Sequence, residues 1–344
     1  MNILVRAPNW IGDAVMATPA LSLLRSGFPE AEITLLAKPH IAELLRTPLA
    51  LDRQWVYERP GSHEGGLGLW RLIRSLRLAR FDWAVLLQNA FEAALIAVAA
   101  GIPKRIGYAM HGRGWLLTHT PKGHPHHQRE AYLRVVTDMI AAVSMADPLP
   151  QEVPAPSLHL TEQERTWAEQ RLAEESISQK DYIVGICPGA AYGSAKQWGK
   201  VRFAQVASAL ISRYHARILI FGSRSEMPLS QQMHDLIQGN AVMLAGETTV
   251  RQMMALIACC RLVVSNDSGL MHVASALGIP VVAIFGPTDP QATGPAGLHC
   301  RIVHHPVACA PCTYRICPID HRCMEGISTQ QVIDAIEAAA SSAP

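Results

Sequence analysis

Leu262-Val263-Val264-Ser265-Asn266-Asp267-Ser268-Gly269-Leu270-Met271-His272 sets an apolar run directly before a segment with helical periodicity. The run reads as a buried parallel strand and residues 269–277 as a helix. Asp267, Ser268 and Gly269 therefore fall at the strand's C-terminal edge and in the helix's first turn. Amides there lack intrahelical partners and the helix dipole is positive, which makes a seat for an anion. The Ser268 hydroxyl and the His272 imidazole, one turn along the same face, can add donors to a phosphate. An Asp/Ser helix cap followed by a core or surface histidine accounts for the same residues equally well.

Outward from this stretch the whole chain alternates strand and helix. In the first half, strands are expected at 3–7, 32–37, 54–58, 83–88 and 105–108, and helices at 13–26, 39–46, 69–80, 91–100 and 129–143. Residues 147–156 then carry four prolines, which can continue neither a helix nor a central strand, and read as a linker. The second half resumes with strands at 182–187, 217–221, 242–244, 262–265 and 281–285. Its helices are expected at 161–174, 203–214, 226–237, 250–258, 269–277 and 329–339. The expectation is an α/β protein of two Rossmann-like, doubly wound domains, 1–150 and 157–344, with a cleft between them and the last helix packing back toward the first domain. Neither half has G-x-G-x-x-G after its first strand, which disfavours a dinucleotide dehydrogenase.

Composition narrows the function classes. The 344 residues are 49% hydrophobic and 17% charged, which marks a folded chain, and aromatics at 6% argue against a base-stacking surface. A net charge of +2 implies no nucleic-acid partner. Residues 1–150 carry 16 Lys and Arg against 12 Asp and Glu, a mild excess suited to an acidic substrate. Met1-Asn2-Ile3-Leu4-Val5 enters a strand with no secretory pattern, and the apolar region 83–103 is broken by Gln88, Asn89 and Glu92. A cytoplasmic protein, able to work at a membrane surface, is expected.

Further candidate residues lie at the expected strand ends. After the first strand, Ala7-Pro8-Asn9-Trp10-Ile11-Gly12-Asp13 puts Asp13 at a helix start, as a charge partner of that helix or as a general base. In the second half, Cys187-Pro188-Gly189-Ala190-Ala191-Tyr192-Gly193-Ser194-Ala195-Lys196-Gln197-Trp198 is a loop of small residues with one cation. It suits a pyrophosphate, or is a plain surface loop. Glu226, in Phe221-Gly222-Ser223-Arg224-Ser225-Glu226, can hold ribose hydroxyls or serve as a first-turn carboxylate. Thr248 closes Ala245-Gly246-Glu247-Thr248 at another strand end.

Three clusters remain. Cys309, Cys312, Cys317 and Cys323, with His321 among them, can hold zinc, yet their spacing is that of no zinc ribbon or finger. Disulfides are disfavoured in a reducing compartment. Reduced or partly buried thiols shaping a loop are the favoured reading, and no catalytic role is expected because the cluster is remote in sequence from every expected phosphate-contact segment. His124, His126 and His127 read as a surface loop. Arg71, Arg74, Arg77 and Arg80 recur every three residues on a helix whose Trp70, Ile73 and Leu76 are expected to face inward. That basic face is solvated, or meets anionic headgroups or a phosphorylated acceptor.

Together, Pro8-Asn9-Trp10-Ile11-Gly12-Asp13 with Met16-Ala17-Thr18-Pro19-Ala20-Leu21, Cys187 to Trp198, Ala245 to Thr248 and Asn266 to His272 resemble the bacterial ADP-heptose:lipopolysaccharide heptosyltransferases. These are GT-B glycosyltransferases of family 9, and the branch that extends an already heptosylated core is the nearest likeness. The resemblance implies a first domain for the acceptor and a second for ADP-heptose, with inversion at the anomeric carbon and no cofactor. Asp13 would deprotonate a hydroxyl of the heptosyl-Kdo-lipid A acceptor. Lys196 and the amides at Ser268 and Gly269 would stabilise the departing diphosphate, assisted by His272, with Asp267 orienting the donor or the helix start. Thr248 would lie by the adenine, Glu226 by the ribose, and Asn9, Trp10 and Asn89 by the acceptor. No Asp-x-Asp pair occurs, so a lysine and a helix start would replace the metal many transferases use. Peripheral contact with the inner face of the inner membrane would follow from the acceptor. Another sugar donor, or a non-catalytic nucleotide-sugar sensor, are the rival readings.

Overall fold

The computed structural model describes residues 1–46, 51–144, 154–237 and 239–341. Its continuous apolar runs become central strands covered on both faces. β1 (Asn2–Arg6), β2 (Glu32–Ala37), β3 (Arg53–Val56), β4 (Trp83–Leu86) and β5 (Lys104–Ile106) form a parallel sheet in the order β3-β2-β1-β4-β5. β6 (Ile183–Cys187), β7 (Arg217–Ile220), β8 (Ala241–Met243), β9 (Leu262–Asn266), β10 (Val281–Phe285) and β11 (Cys300–His304) form a second, in the order β11-β10-β9-β6-β7-β8. Ile3, Leu4 and Val5, like Val263, Val264 and Ile284, are at most 1% exposed. The chain divides into two compact units, Met1–Pro156 and Ser157–Pro344.

Each strand order reverses once, between β1 and β4 in the first sheet and between β6 and β9 in the second. Arg6 lies opposite Leu86 at the first reversal, and Cys187 opposite Ser265 at the second. Crossover connections diverge at such points and leave a crevice beyond the strand ends, where open α/β sheets take their ligands.

The elements differ from the periodicity in a few places. The segment expected as one helix over 13–26 is two, Ile11–Met16 and Thr18–Gly27. Pro19 has no N–H for the Val15 carbonyl, and the Thr18 hydroxyl donates to it instead, at 2.9 Å. β11 escaped the sequence reading because its polar ends and its exposed Arg301 and Ile302 hide the strand pattern of an edge position. The proline-rich linker lies largely outside the described residues, and its last three residues, Pro154, Ala155 and Pro156, are irregular. The final helix, Thr329–Ser341, packs on β10, β11 and the helix Lys200–Tyr214 of its own unit.

Candidate active site

In the second unit the loops after β6 and β9 meet at the order reversal. Asn266 is fully buried, accepts from the Trp198 amide at 3.1 Å and donates to the Pro188 carbonyl at 2.7 Å. It thus staples the long loop after β6 to the end of β9. That staple brings the Lys196 ammonium to 2.5 Å from Asp267 Oδ2, which also accepts from the Thr288 hydroxyl at 2.5 Å. The lysine side chain is 15% exposed and the aspartate 6%. The Asp267 amide is taken by the Ile284 carbonyl at 3.0 Å, so the free helix start begins one residue later.

Ser268 is the N-cap of the helix Gly269–Ala276 in extended conformation, and its side chain makes no cap hydrogen bond. The Ser268 hydroxyl pairs with that of Ser265 at 3.0 Å. Ser268, Gly269 and Leu270 are half-buried, and the first turn opens beside the Lys196–Asp267 pair. His272 is buried one turn in. Glu226 Oε2 accepts from the Ser223 amide at 2.7 Å and hydroxyl at 2.6 Å, closing a capping box. Its Oε1 lies where a Cβ at Gly189 would come within 2.1 Å, so a side chain at 189 would displace the carboxylate. Thr248 is half-buried in the turn after β8.

The Cys-rich segment, remote in sequence, braces the lysine. Ala195 N donates to the Arg315 carbonyl at 3.0 Å, His321 Nε2 lies 2.7 Å from the Ala195 carbonyl, and Tyr192 Oη donates to Thr313 at 2.7 Å. Gly193 has φ +155°, and a Cβ there would stand 2.3 Å from the Arg315 carbonyl oxygen. Only glycine fits. Distance along the chain was therefore a poor guide to this segment's relation with the loop that carries Lys196. Cys309, Cys312, Cys317, Cys323, His321 and Ala195 line one cavity of about 50 Å³. All four thiols are free, and among the described residues no three His, Cys, Asp or Glu side chains are arranged to hold a metal. Burial, then the neighbouring thiols, pushes the Cys323 pKa up.

In the first unit Asp13 is half-buried in the first turn of Ile11–Met16. It accepts a hydrogen bond from Tyr132 Oη at 2.9 Å, across from the helix Gln128–Ser144. Tyr132 is 4% exposed, and burial followed by the Asp13 charge holds its pKa well above the usual phenol value. The phenol therefore stays protonated and keeps donating. Two buried guanidiniums shape the same edge. Arg6 donates to the Ala7 carbonyl at 3.0 Å and to Asn9 Oδ1 at 3.1 Å. Arg113, fully buried, donates to Asn89 Oδ1 at 2.9 Å and to the Gln88 carbonyl. Burial lowers both pKa values to about 10, which leaves both cations charged at neutral pH. Asn9 and Asn89 are thus fixed on either side of the β1/β4 reversal, and Trp10 is 52% exposed.

Sequence reasoning missed Tyr132, Arg6, Arg113 and Thr288. Arg6 had a signal, a lone cation ending an apolar strand before Ala7-Pro8. Tyr132 had none, since 119 residues separate it from Asp13. In the histidine group, the His124 ring lies 4.6 Å from the Tyr108 ring, and His127 accepts from the Arg129 amide at 3.1 Å.

Two doubly wound units, each presenting charged groups at its own order reversal, define an α/β glycosyltransferase of the GT-B architecture. The model of glycosyltransferase family 9 (heptosyltransferase) matches residues 69–322, and the chain belongs to that family. Lipopolysaccharide heptosyltransferase 2 of Escherichia coli strain K12 is 32% identical over 323 residues, 88% of each chain. Lipooligosaccharide heptosyltransferase 2 of Haemophilus influenzae is 32% identical over 308 residues, 86% of each. The solved ADP-heptose lps heptosyltransferase II of E. coli matches with a TM-score of 0.83 at 30% identity, over 99% of each chain. A family 9 glycosyl transferase from Veillonella parvula shares the fold, with a TM-score of 0.84 at 21% identity over 99% of this chain and 97% of that one. The expected family, fold and enzyme class are all met.

Proposed function

We propose that the enzyme moves L-glycero-D-manno-heptose from ADP-heptose to the heptosyl-Kdo-lipid A core, inverting the anomeric centre. The observation that carries the donor half is the Lys196–Asp267 pair at the β6/β9 reversal, beside the uncapped helix start at Ser268 and Gly269. A departing diphosphate needs positive charge, and one preorganised donor of this kind is worth about 3–4 kcal/mol of barrier. Asp267, itself held by Thr288, positions the ammonium for the diphosphate. Glu226 and Thr248 lie in the neighbouring loops, where ribose and adenine are assigned, and His272 backs the helix start.

On the acceptor side Asp13 takes the proton of the attacking hydroxyl, with Asn9, Trp10 and Asn89 around the acceptor sugar. A carboxylate of ordinary basicity suffices when proton transfer is advanced in the transition state. Heptose transfer also requires that water be excluded, so that the donor is not hydrolysed. Among the described residues no helix is long and apolar enough to cross a membrane. A lipid-linked acceptor therefore calls for peripheral work at the cytoplasmic face of the inner membrane.

Thermal melting with nucleotide sugars tests the donor. ADP-heptose at about 100 times its Kd should add about 2.7 kcal/mol of stability. Stabilisation by UDP-sugars with none by ADP-heptose would remove this assignment.

A further inference from the structure

We propose that the helices Gly65–Ala79 and Phe91–Ala99, with the turn at Trp115, form a docking surface for an anionic phospholipid bilayer. Phe91–Ala99 buries Ala94, Ile96 and Ala97 in the core of the first unit. Its opposite face is also apolar. Phe91, Leu95 and Val98, spaced i, i+4, i+7, are 38%, 42% and 37% exposed. A helix apolar on both faces belongs in a protein interior or against lipid. Trp115, 74% exposed, extends this face, its ring 6.2 Å from that of Phe91.

The neighbouring helix carries the charge. Gly65–Ala79 turns Gly68, Leu72 and Leu76 inward, whereas Trp70, expected in the core, is 53% exposed. Leu67, Trp70, Arg71, Arg74 and Leu78 share its outer face, and the Arg74 guanidinium lies over the Trp70 ring at 5.5 Å. Residues 65–80 contain four arginines and no acidic residue. Arg77 ties the two helices together by donating to the Ala99 carbonyl at 2.6 Å. Tryptophan and leucine interleaved with unopposed arginine is the pattern of a helix lying in a headgroup layer. A two-fold contact between copies through this face would set arginines against arginines, which disfavours a second chain as its occupant. The choice of lipid rests on the lipid-linked acceptor proposed above.

Co-sedimentation of the full chain with phosphatidylcholine vesicles, with and without about one third phosphatidylglycerol, tests the surface. Binding is expected to the anionic vesicles, weakening with salt, and each Arg71→Ala or Arg74→Ala change should lower the partition constant about fivefold. Leu95→Ser with Trp115→Ser should lower binding more than tenfold, at low salt as well. Both sets should turn over a delipidated, water-soluble acceptor like the unaltered enzyme, which also shows that they fold. Equal partition into neutral and anionic vesicles, or wild-type binding by the variants, overturns the proposal. So does a dimer that the Leu95/Trp115 variant splits while vesicle binding is unchanged. Failure to transfer heptose to the soluble acceptor would instead bring down the proposed activity and leave the vesicle result standing.

Discussion

At the edge of the first sheet Asp13 takes a hydrogen bond from a neutral phenol at 2.9 Å, whereas at the edge of the second Asp267 meets an ammonium at 2.5 Å. These two partners differ in charge. Tyr132 is held protonated by burial and by the Asp13 charge, so it orients Asp13 without neutralising it. Lys196 neutralises Asp267, and the aspartate in turn fixes the ammonium beside an uncapped helix start. On the proposed reading the first edge supplies a carboxylate that takes a proton, and the second uses its carboxylate to aim a cation.

Removing the two charges should therefore have different signatures. Asp13→Asn keeps the shape and the Tyr132 contact but removes the base, and kcat for heptose transfer should fall by roughly 10²–10⁴. ADP affinity, measured by calorimetry, should stay within about twofold, because no donor contact is assigned to the first edge. Lys196→Ala should lower kcat by about 10²–10³ and weaken ADP as well, since the proposed contact of the ammonium with the diphosphate holds in ground and transition states alike. If Asp13→Asn weakened ADP as much as Lys196→Ala does, the two edges would not have separate roles.

Tyr132→Phe probes the neutral partner. The phenyl ring fills the same buried space, so the fold should hold, while Asp13 loses one donor to its charged form. A fall in kcat of about tenfold is expected. The acid limb of the kcat/KM profile should move to higher pH, because a carboxylate that loses a hydrogen bond to its anion binds a proton more readily. A profile that fell in height with no movement of that limb would make Tyr132 a packing residue alone.

The sheets were legible because parallel strands buried on both faces are written as unbroken apolar runs. Residues 32–37, 281–285 and the helix 250–258 have in the structure the bounds read from the sequence. Asp13, Lys196 and Asp267 were legible for a related reason: each follows such a run, and the residues after a strand's C-terminus lie where an α/β sheet binds ligands. Their partners were not. Tyr132 sits inside an ordinary amphipathic helix and Thr288 in a loop, and a hydrogen bond between distant segments leaves no local pattern. Trp70 was misplaced because the three-residue spacing of Trp70, Ile73 and Leu76 is compatible with more than one helix face. The core took the stripe of Gly68, Leu72 and Leu76 instead.

A third pair, away from the strand ends, sharpens the contrast between positioning and stabilising ion pairs. Arg251, 4% exposed, donates from Nε to Glu164 Oε1 and from Nη2 to Oε2, both at 2.6 Å. Oε2 also accepts from the Thr161 amide at 2.8 Å, and Arg251 Nη2 reaches the His159 carbonyl at 2.8 Å. The pair ties the helices Glu162–Glu174 and Val250–Ala258 together. The arginine's hydrogen bond, foremost, lowers the Glu164 pKa from 4.5 to about 2. A folded-state pKa below the unfolded one gives stability that is complete above pH 4.5 and is lost as pH falls toward about 2. Glu164→Gln should thus lower Tm by several degrees at neutral pH, leave kcat within about twofold, and differ from the unaltered enzyme less and less below pH 4.5. A Tm gap that stayed constant down to about pH 2 would mean that the pair contributes shape and not charge.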